Sequence, residues 1–326
     1  MNVLVTGSSG FIGHKVCEQL LKRGDTVIGV DNMNDYYDVK LKEHRLNLLK
    51  KDNNFKFEKI NIENLEDLEI LFKNNQIDGV INLAARAGVR YSMKDPFVYM
   101  RTNAIGTLNL LDLMRKYDVK KMVLASTSSL YAGQEMPFLE TLPVNTPISP
   151  YAASKKSAEV MAYAYHYLYG LDISIVRYFT VYGPAGRPDM VIFKFINNIV
   201  EGKPITVNGD GTQTRDFTYV DDIARGTISA LKPVGYEITN LGGGLASYSL
   251  KELISLIEKY SGKKAQVKYQ AFSKADMKDT LANGNKAKEL FGWEPSISFE
   301  EGIKNSVEWY LENRSWADNL SCKDGD

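Results

Sequence analysis

Val3-Leu4-Val5-Thr6-Gly7-Ser8-Ser9-Gly10-Phe11-Ile12-Gly13-His14-Lys15 stands near the start of the chain, and its reading decides the fold. An apolar, β-branched run predicts a strand over Asn2–Thr6, and apolar positions at helical spacing follow from Phe11 to Arg23. Glycines between the two permit a tight turn and bring backbone N–H groups to the positive end of the helix, where a pyrophosphate is favoured. The spacing is GxxGxxG rather than GxGxxG, so this turn alone leaves a bare strand-to-helix connection open.

A second feature narrows the choice. Asp31 follows the next predicted strand, Thr26–Val30, where a carboxylate can accept hydrogen bonds from both ribose hydroxyls of an adenosine. The same carboxylate repels a 2′-phosphate, and Asn32-Met33-Asn34 offers no arginine to receive one. NAD rather than NADP is therefore the expected cofactor, with the nearby basic residues His14 and Lys15 standing against that choice.

Outward from this unit the chain keeps alternating strands and helices, which predicts stacked βαβ units around a parallel sheet. Further strands are expected at Phe55–Asn61, Gly79–Ala84, Lys121–Ser126 and Ile173–Tyr178, and helices at Leu65–Asn74, Pro96–Tyr117 and Pro150–Tyr169. After Tyr182-Gly183-Pro184 the pieces shorten (Ile205–Val207, Phe217–Tyr219, Leu250–Tyr260, Gln266–Tyr269) and end in an amphipathic helix near Phe299–Glu312. The expected fold class is α/β: a Rossmann-type doubly wound parallel sheet with a smaller C-terminal α/β substrate-binding domain. Residues 1–182, with a segment returning near 217–240, would form the first domain and 183–316 mainly the second, leaving 317–326 as a disordered tail.

Composition excludes several classes. Forty basic residues balance forty acidic ones over 326 residues, and affinity for nucleic acid usually needs a basic excess. No run reaches ~18 apolar residues, so no membrane span is expected. The chain begins directly as a strand, without an export signal, and Cys17 and Cys322 make neither a disulfide framework nor a zinc site. A cytoplasmic, reduced environment follows as the expectation.

Chemistry is concentrated at Tyr151-Ala152-Ala153-Ser154-Lys155, which places a phenol and an ammonium on one helical face. A tyrosine with its ordinary pKa near ~10 is a poor base at neutral pH, and a nearby cation lowers it. Upstream, Ala125-Ser126-Thr127-Ser128-Ser129-Leu130-Tyr131 closes a buried strand at the sheet edge where open parallel sheets bind ligands. A hydroxyl there can hydrogen-bond a substrate alcohol while Tyr151 takes its proton.

Together the glycine turn, Asp31, Asn82-Leu83-Ala84-Ala85, the Thr127 strand end and Tyr151/Lys155 resemble the extended short-chain dehydrogenase/reductase superfamily over nearly the whole chain, Met1 to about Trp309. The resemblance implies bound NAD, a UDP-sugar substrate, a homodimer built on the two long helices, and Thr127, Tyr151 and Lys155 as catalytic residues. It implies cofactor contacts from Gly7, Gly10, Phe11, Ile12, Gly13, Asp31, Asn32, Asn61, Ile62, Leu83, Ala84, Ala85, Asn103 and Tyr178 besides Tyr151 and Lys155. Asn61 stands where the family usually has an aspartate.

Three segments resemble the UDP-glucuronate 4-epimerase branch: Asp31–Val39, Ala84–Ser92, and Arg177–Pro184 followed by Gly186-Arg187-Pro188-Asp189-Met190. That branch implies substrate contacts from Gly88, Arg90, Ser128, Ser129, Thr180, Arg187, Val207, Arg215 and Asp276. Arg215 would hold the diphosphate, Val207 would flank the uracil, and Arg187 would offer a bidentate partner to a carboxylate or phosphate. Ser128 and Ser129 replace the acid that related dehydratases and decarboxylases carry there, which favours epimerisation. Ser273 replaces the usual Arg or Gln, leaving Lys274 as the nearest cation. The alternatives are a 4-epimerase for an uncharged UDP-hexose or its N-acetylated form, a decarboxylase releasing a UDP-pentose, and a non-catalytic NAD sensor, against which the intact Thr127, Tyr151 and Lys155 argue.

Overall fold

A computed structural model describes residues 1–243, 246–271 and 277–321. The first part alternates β1 (Asn2–Thr6), α1 (Phe11–Lys22), β2 (Thr26–Val30), α2 (Val39–Leu49), β3 (Phe55–Glu58), α3 (Leu65–Asn74), β4 (Gly79–Asn82), α4 (Val89–Lys94), α5 (Pro96–Tyr99), a π-helical turn (Met100–Ile105), α6 (Gly106–Lys116) and β5 (Lys121–Thr127). There follow a 3₁₀ turn (Ser128–Tyr131), α7 (Pro150–Tyr169), β6 (Asp172–Tyr178), β7 (Thr180–Tyr182), α8 (Val191–Val200), β8 (Ile205–Asn208), β9 (Thr214–Arg215), β10 (Phe217–Tyr219) and α9 (Val220–Ser229). The chain ends with β11 (Tyr236–Leu241), β12 (Tyr248–Ser249), α10 (Leu250–Ser261), β13 (Val267–Gln270), α11 (Asn285–Phe291), α12 (Phe299–Glu312) and α13 (Arg314–Ala317).

Seven parallel strands form the main sheet in the order β11-β6-β5-β4-β1-β2-β3. Side chains alternate across its two faces, as a pleated strand requires. Val3 and Val5 pack toward α1 and α9, whereas Leu4 between them packs on the side of α3, α6 and α7. A third apolar cluster, including Phe193, Val207, Leu253, Phe299 and Tyr310, fills the C-terminal part. Three two-stranded pairs, β7–β10, β9–β12 and β8–β13, stand outside the main sheet. No helix among the described residues is long and apolar enough to cross a membrane.

Three expectations change. The helix expected over Pro96–Tyr117 is interrupted by the π-helical turn, whose Asn103 uses its side chain to hold the backbone at Arg86, and it ends at Lys116. Helices α2, α8, α9 and α11 lie where no helix is foreseen in sequence. Residues 317–321, expected to begin a disordered tail, are packed: Ala317 is buried, Leu320 joins an apolar cluster, and the Ser321 carbonyl accepts from the Asp38 amide at 2.9 Å. Burial of those apolar side chains offsets the entropy of fixing the segment. Residues 322–326 of that tail lie outside the described residues.

Candidate functional site

Strand order reverses between β1 and β4, and open α/β sheets bind ligands in the crevice at that point, beyond the carboxyl ends of their strands. A cleft of about 1390 Å³ occupies the place. It is lined by Gly7, Gly10, Phe11, Ile12, Gly13, Asp31, Asn32, Asn61, Ile62, Leu83, Ala84, Ala85, Thr127, Tyr151, Lys155, Tyr178 and Arg187, together with residues that sequence reasoning did not single out.

At one end the glycines are required by the protein's own packing. Gly7 has φ +70°, and a Cβ on it would sit 2.8 Å from the Ala84 nitrogen. A Cβ on Gly13 would lie 2.0 Å from the Gly7 carbonyl oxygen, so helix α1 could not close onto the turn. Ser8 and Ser9 hydroxyls are buried here without partners, and the amino end of α1 faces the cleft. This cradle fits a dinucleotide diphosphate.

Asp31 is buried, accepting from the Ser9 amide at 3.2 Å and the Met33 amide at 2.8 Å. Lys42, on α2, lies 3.7 Å from its carboxylate and is itself buried. The basic residues that stood against NAD are turned to other work. Burial, then Arg45 and Lys15, push His14 down to about 3, so it is neutral. Lys15 is paired with Glu18 at 2.8 Å and Asp221 at 3.4 Å. Thr6 Oγ1 accepts from the amides of Leu83 and Ala84, fixing the adjoining wall.

The other end of the cleft is built by α7 and β5. Ser149 caps α7 by accepting from the Ala152 amide at 3.2 Å, Pro150 starts it, and left-handed Gly170 ends it, so its register is set at both ends. Tyr151 and Lys155 thereby face the cleft, with Tyr151 hydrogen-bonded to Thr127. Burial raises the Tyr151 phenol above its ordinary value, opposed by the Thr127 hydrogen bond and the field of Arg187. Burial lowers Lys155 to about 8, opposed by Glu159 one turn further along α7.

Beneath them lies a buried polar network. Arg177 donates to both oxygens of Glu159 at 2.9 and 2.8 Å, and Glu159 accepts from Ser126 at 2.7 Å, next to Thr127. Arg177 also donates to the Tyr131 hydroxyl, which donates to Asn240 on β11. The carboxyl ends of three neighbouring strands are thus tied to the helix that carries Tyr151.

Other residues named from sequence are dispersed. Asn103 does not line the cleft: its amide is bound to the Arg86 backbone and Ser154. Tyr178 presents its ring, because its hydroxyl is bonded to Thr227. Gly88, at φ +120°, lies beside Tyr36 and Tyr99, and Arg90 is on the exposed side of α4. Ser128 and Ser129 follow Thr127 directly, the Ser129 amide donating to Thr127 Oγ1. Thr180 is on β7, Val207 is buried on β8, and Arg215 donates to the carbonyls of Thr214 and Lys278. Arg187 lines the cleft and donates to Asp189 through Nε at 3.0 Å and Nη2 at 2.5 Å. Ser273, Lys274 and Asp276 lie outside the described residues.

Lys42 was not legible, because α2 shows no clean period and brings this side chain to the cleft only by tertiary packing. No group of His, Cys, Asp and Glu able to hold a metal occurs among the described residues.

Residues 3–242 match the NAD dependent epimerase/dehydratase family. A UDP-glucuronate 4-epimerase of Thermodesulfobacterium geofontis (strain OPF15) is 62% identical over 310 residues, covering 95% of this chain and 96% of that one. The crystal structure of a Bacillus cereus UDP-glucuronic acid 4-epimerase in complex with UDP-glucuronic acid and NAD superposes with a TM-score of 0.89 at 37% identity, over 96% of this chain and all of that one. A Thermotoga maritima UDP-glucose 4-epimerase with UDP-glucose gives 0.87 at 34% identity, over 96% of this chain and all of that one.

Proposed function

The chain belongs to the NAD dependent epimerase/dehydratase family, and from that premise we propose that it is a UDP-glucuronate 4-epimerase, interconverting UDP-glucuronate and UDP-galacturonate on bound NAD. One observation carries the proposal beyond the family: the hydrogen-bonded Thr127–Tyr151 pair is followed by the neutral hydroxyls of Ser128 and Ser129, with no acid at the strand end. The 62% identical relative bears the same activity in its name.

NAD, when bound, supplies the acceptor and later the donor for the C4 hydrogen, together with a positive charge that favours a phenolate nearby. The chain's own residues handle the proton. Tyr151, assisted by Thr127, removes it from O4 as C4 becomes a ketone. The 4-keto sugar turns about its diphosphate linkage and presents its other face, and Tyr151 returns the proton to O4 as C4 is reduced. Lys155 keeps a cation beside the phenol.

The ketone is β to the C5 carboxylate, and CO₂ is lost when that bond aligns with the carbonyl π system. Ser128, Ser129 and Thr180 hold the carboxylate by neutral hydrogen bonds, without a proton-transfer group that would promote loss. Arg187, bound to Asp189, acts on Tyr151 through its field. Arg215 and Val207 belong to the UDP end, and the substrate half is assigned to 183–316 against a dinucleotide half in 1–182. Phe97, Met100 and Ile105 on one packed helical stretch and Val160, Tyr163, Tyr167 and Leu168 on α7 expose an apolar face suited to a homodimer.

An NMR time course with UDP-glucuronate tests the activity. The expected product is UDP-galacturonate without CO₂. Formation of a UDP-pentose, or turnover of UDP-glucose alone, refutes the assignment. Tyr151→Phe should lose roughly two to four orders of magnitude in kcat while still binding NAD, and a variant that keeps most of its rate removes Tyr151 from the proton-transfer role.

A further inference from the structure

Arg45 on α2 is fully buried, yet no carboxylate lies within ion-pair distance of it among the described residues. A buried cation is costly unless something compensates it. Its hydrogen-bond partners are three oxygens from separate segments, and its guanidinium lies 5.9 and 5.6 Å from the ring centroids of Phe11 and Tyr37. Nη1 donates to the Ser9 carbonyl of the glycine turn at 3.2 Å and to the Tyr37 hydroxyl at 2.7 Å. Nη2 donates to the Ala185 carbonyl at 2.5 Å, and Nε has no partner. Ala185 stands at φ +53°, a backbone conformation that non-glycine residues hold only when their surroundings over-determine it. It lies two residues before Arg187, in the loop that closes the cleft from the other side. One planar guanidinium therefore spans from the dinucleotide turn to the substrate-side loop, and its charge sits beside the turn that would hold a dianionic diphosphate.

We propose that Arg45 is a positioning residue that couples the dinucleotide turn to the loop 183–190, so that filling the cofactor site orders the loop that faces the sugar. The proposal rests on the NAD part of the reading above and not on the identity of the sugar. Arg45→Met removes the charge and all three bonds. Arg45→Lys keeps the charge, but a single ammonium cannot span Ser9 and Ala185.

Calorimetric NAD affinity and hydrogen exchange at 183–190, with and without NAD, are the measurements. In the wild type NAD alone should slow exchange at 183–190. Both variants should bind NAD about tenfold or more weakly, the size of one lost charge-assisted hydrogen bond, and should lose the NAD-induced slowing. Where Arg45→Met fails to fold, Arg45→Lys is read alone. The KM for UDP-glucuronate should rise while kcat at saturation stays near wild type, because Arg45 does not line the cleft. A folded variant with lower thermal stability but unchanged NAD affinity and unchanged exchange overturns the proposal. Wild-type protein that binds NAD and does not act on UDP-glucuronate refutes the activity and leaves this inference standing.

Discussion

Lys155 carries two opposed consequences of one burial. Its ammonium is lowered from 10.5 to about 8, chiefly by loss of water, with Glu159 resisting. Below pH 8 it is charged both folded and unfolded, and the whole cost of burying the cation opposes folding. Between about 8 and 10.5 the folded protein sheds the proton while the unfolded chain keeps it, so this group's contribution to stability improves as pH rises. The cation that the proposed mechanism places beside Tyr151 is lost over the same range. We expect the kcat/KM of the NAD-loaded enzyme to fall as pH rises through about 8, while the melting temperature of the ligand-free protein rises relative to Lys155→Met between pH 7.5 and 9.5. A pH-independent gap between the two melting curves excludes the Lys155 ionisation.

At the scale of elements, the glycine turn and α1 make a sharper test than residue type alone suggests. Gly13→Ala places a methyl 2.0 Å from the Gly7 carbonyl, and neither side is a flexible side chain that can move away. It should cost at least roughly 1–3 kcal/mol of stability and abolish copurifying NAD, assayed by thermal melting and by absorbance of heat-released nucleotide. Gly284→Ala, with nothing within 4 Å of the new methyl, should change stability by less than about 0.5 kcal/mol. The contrast explains what could be read from the sequence. Gly7, Asp31, Thr127, Tyr151 and Lys155 were legible because their chemistry is fixed by short spacings at the ends of strongly patterned strands and helices. Lys42, Arg45 and the Arg187–Asp189 pair were not, since each depends on where a weakly patterned segment packs. The π-helical turn was equally hidden: Pro96–Tyr117 reads as one apolar period, and only the bonds from Asn103 to Arg86 and Ser154 mark its interruption.

For the whole molecule, the exposed face on α5, the π-helical turn and α7 sets the expectation for assembly. Phe97 is 71% and Tyr167 76% exposed, more than a solitary surface gains from such side chains. Leu168→Glu with Tyr167→Glu should convert the proposed dimer into a monomer in sedimentation while sparing NAD binding. A wild type that sediments as a monomer at micromolar concentration refutes the dimer.

Strand β11 has a further consequence. It completes the main sheet by pairing with β6 along its whole length, although about sixty residues separate the two in the chain. During synthesis at ~5–20 residues per second, the β6 margin therefore stands bare for several seconds until Leu241 leaves the ribosome. A nascent chain in that state offers unpaired amides to any neighbouring polypeptide, and chaperone capture of arrested intermediates should peak for stalls at which residue 178 has emerged from the ribosome and residue 241 has not.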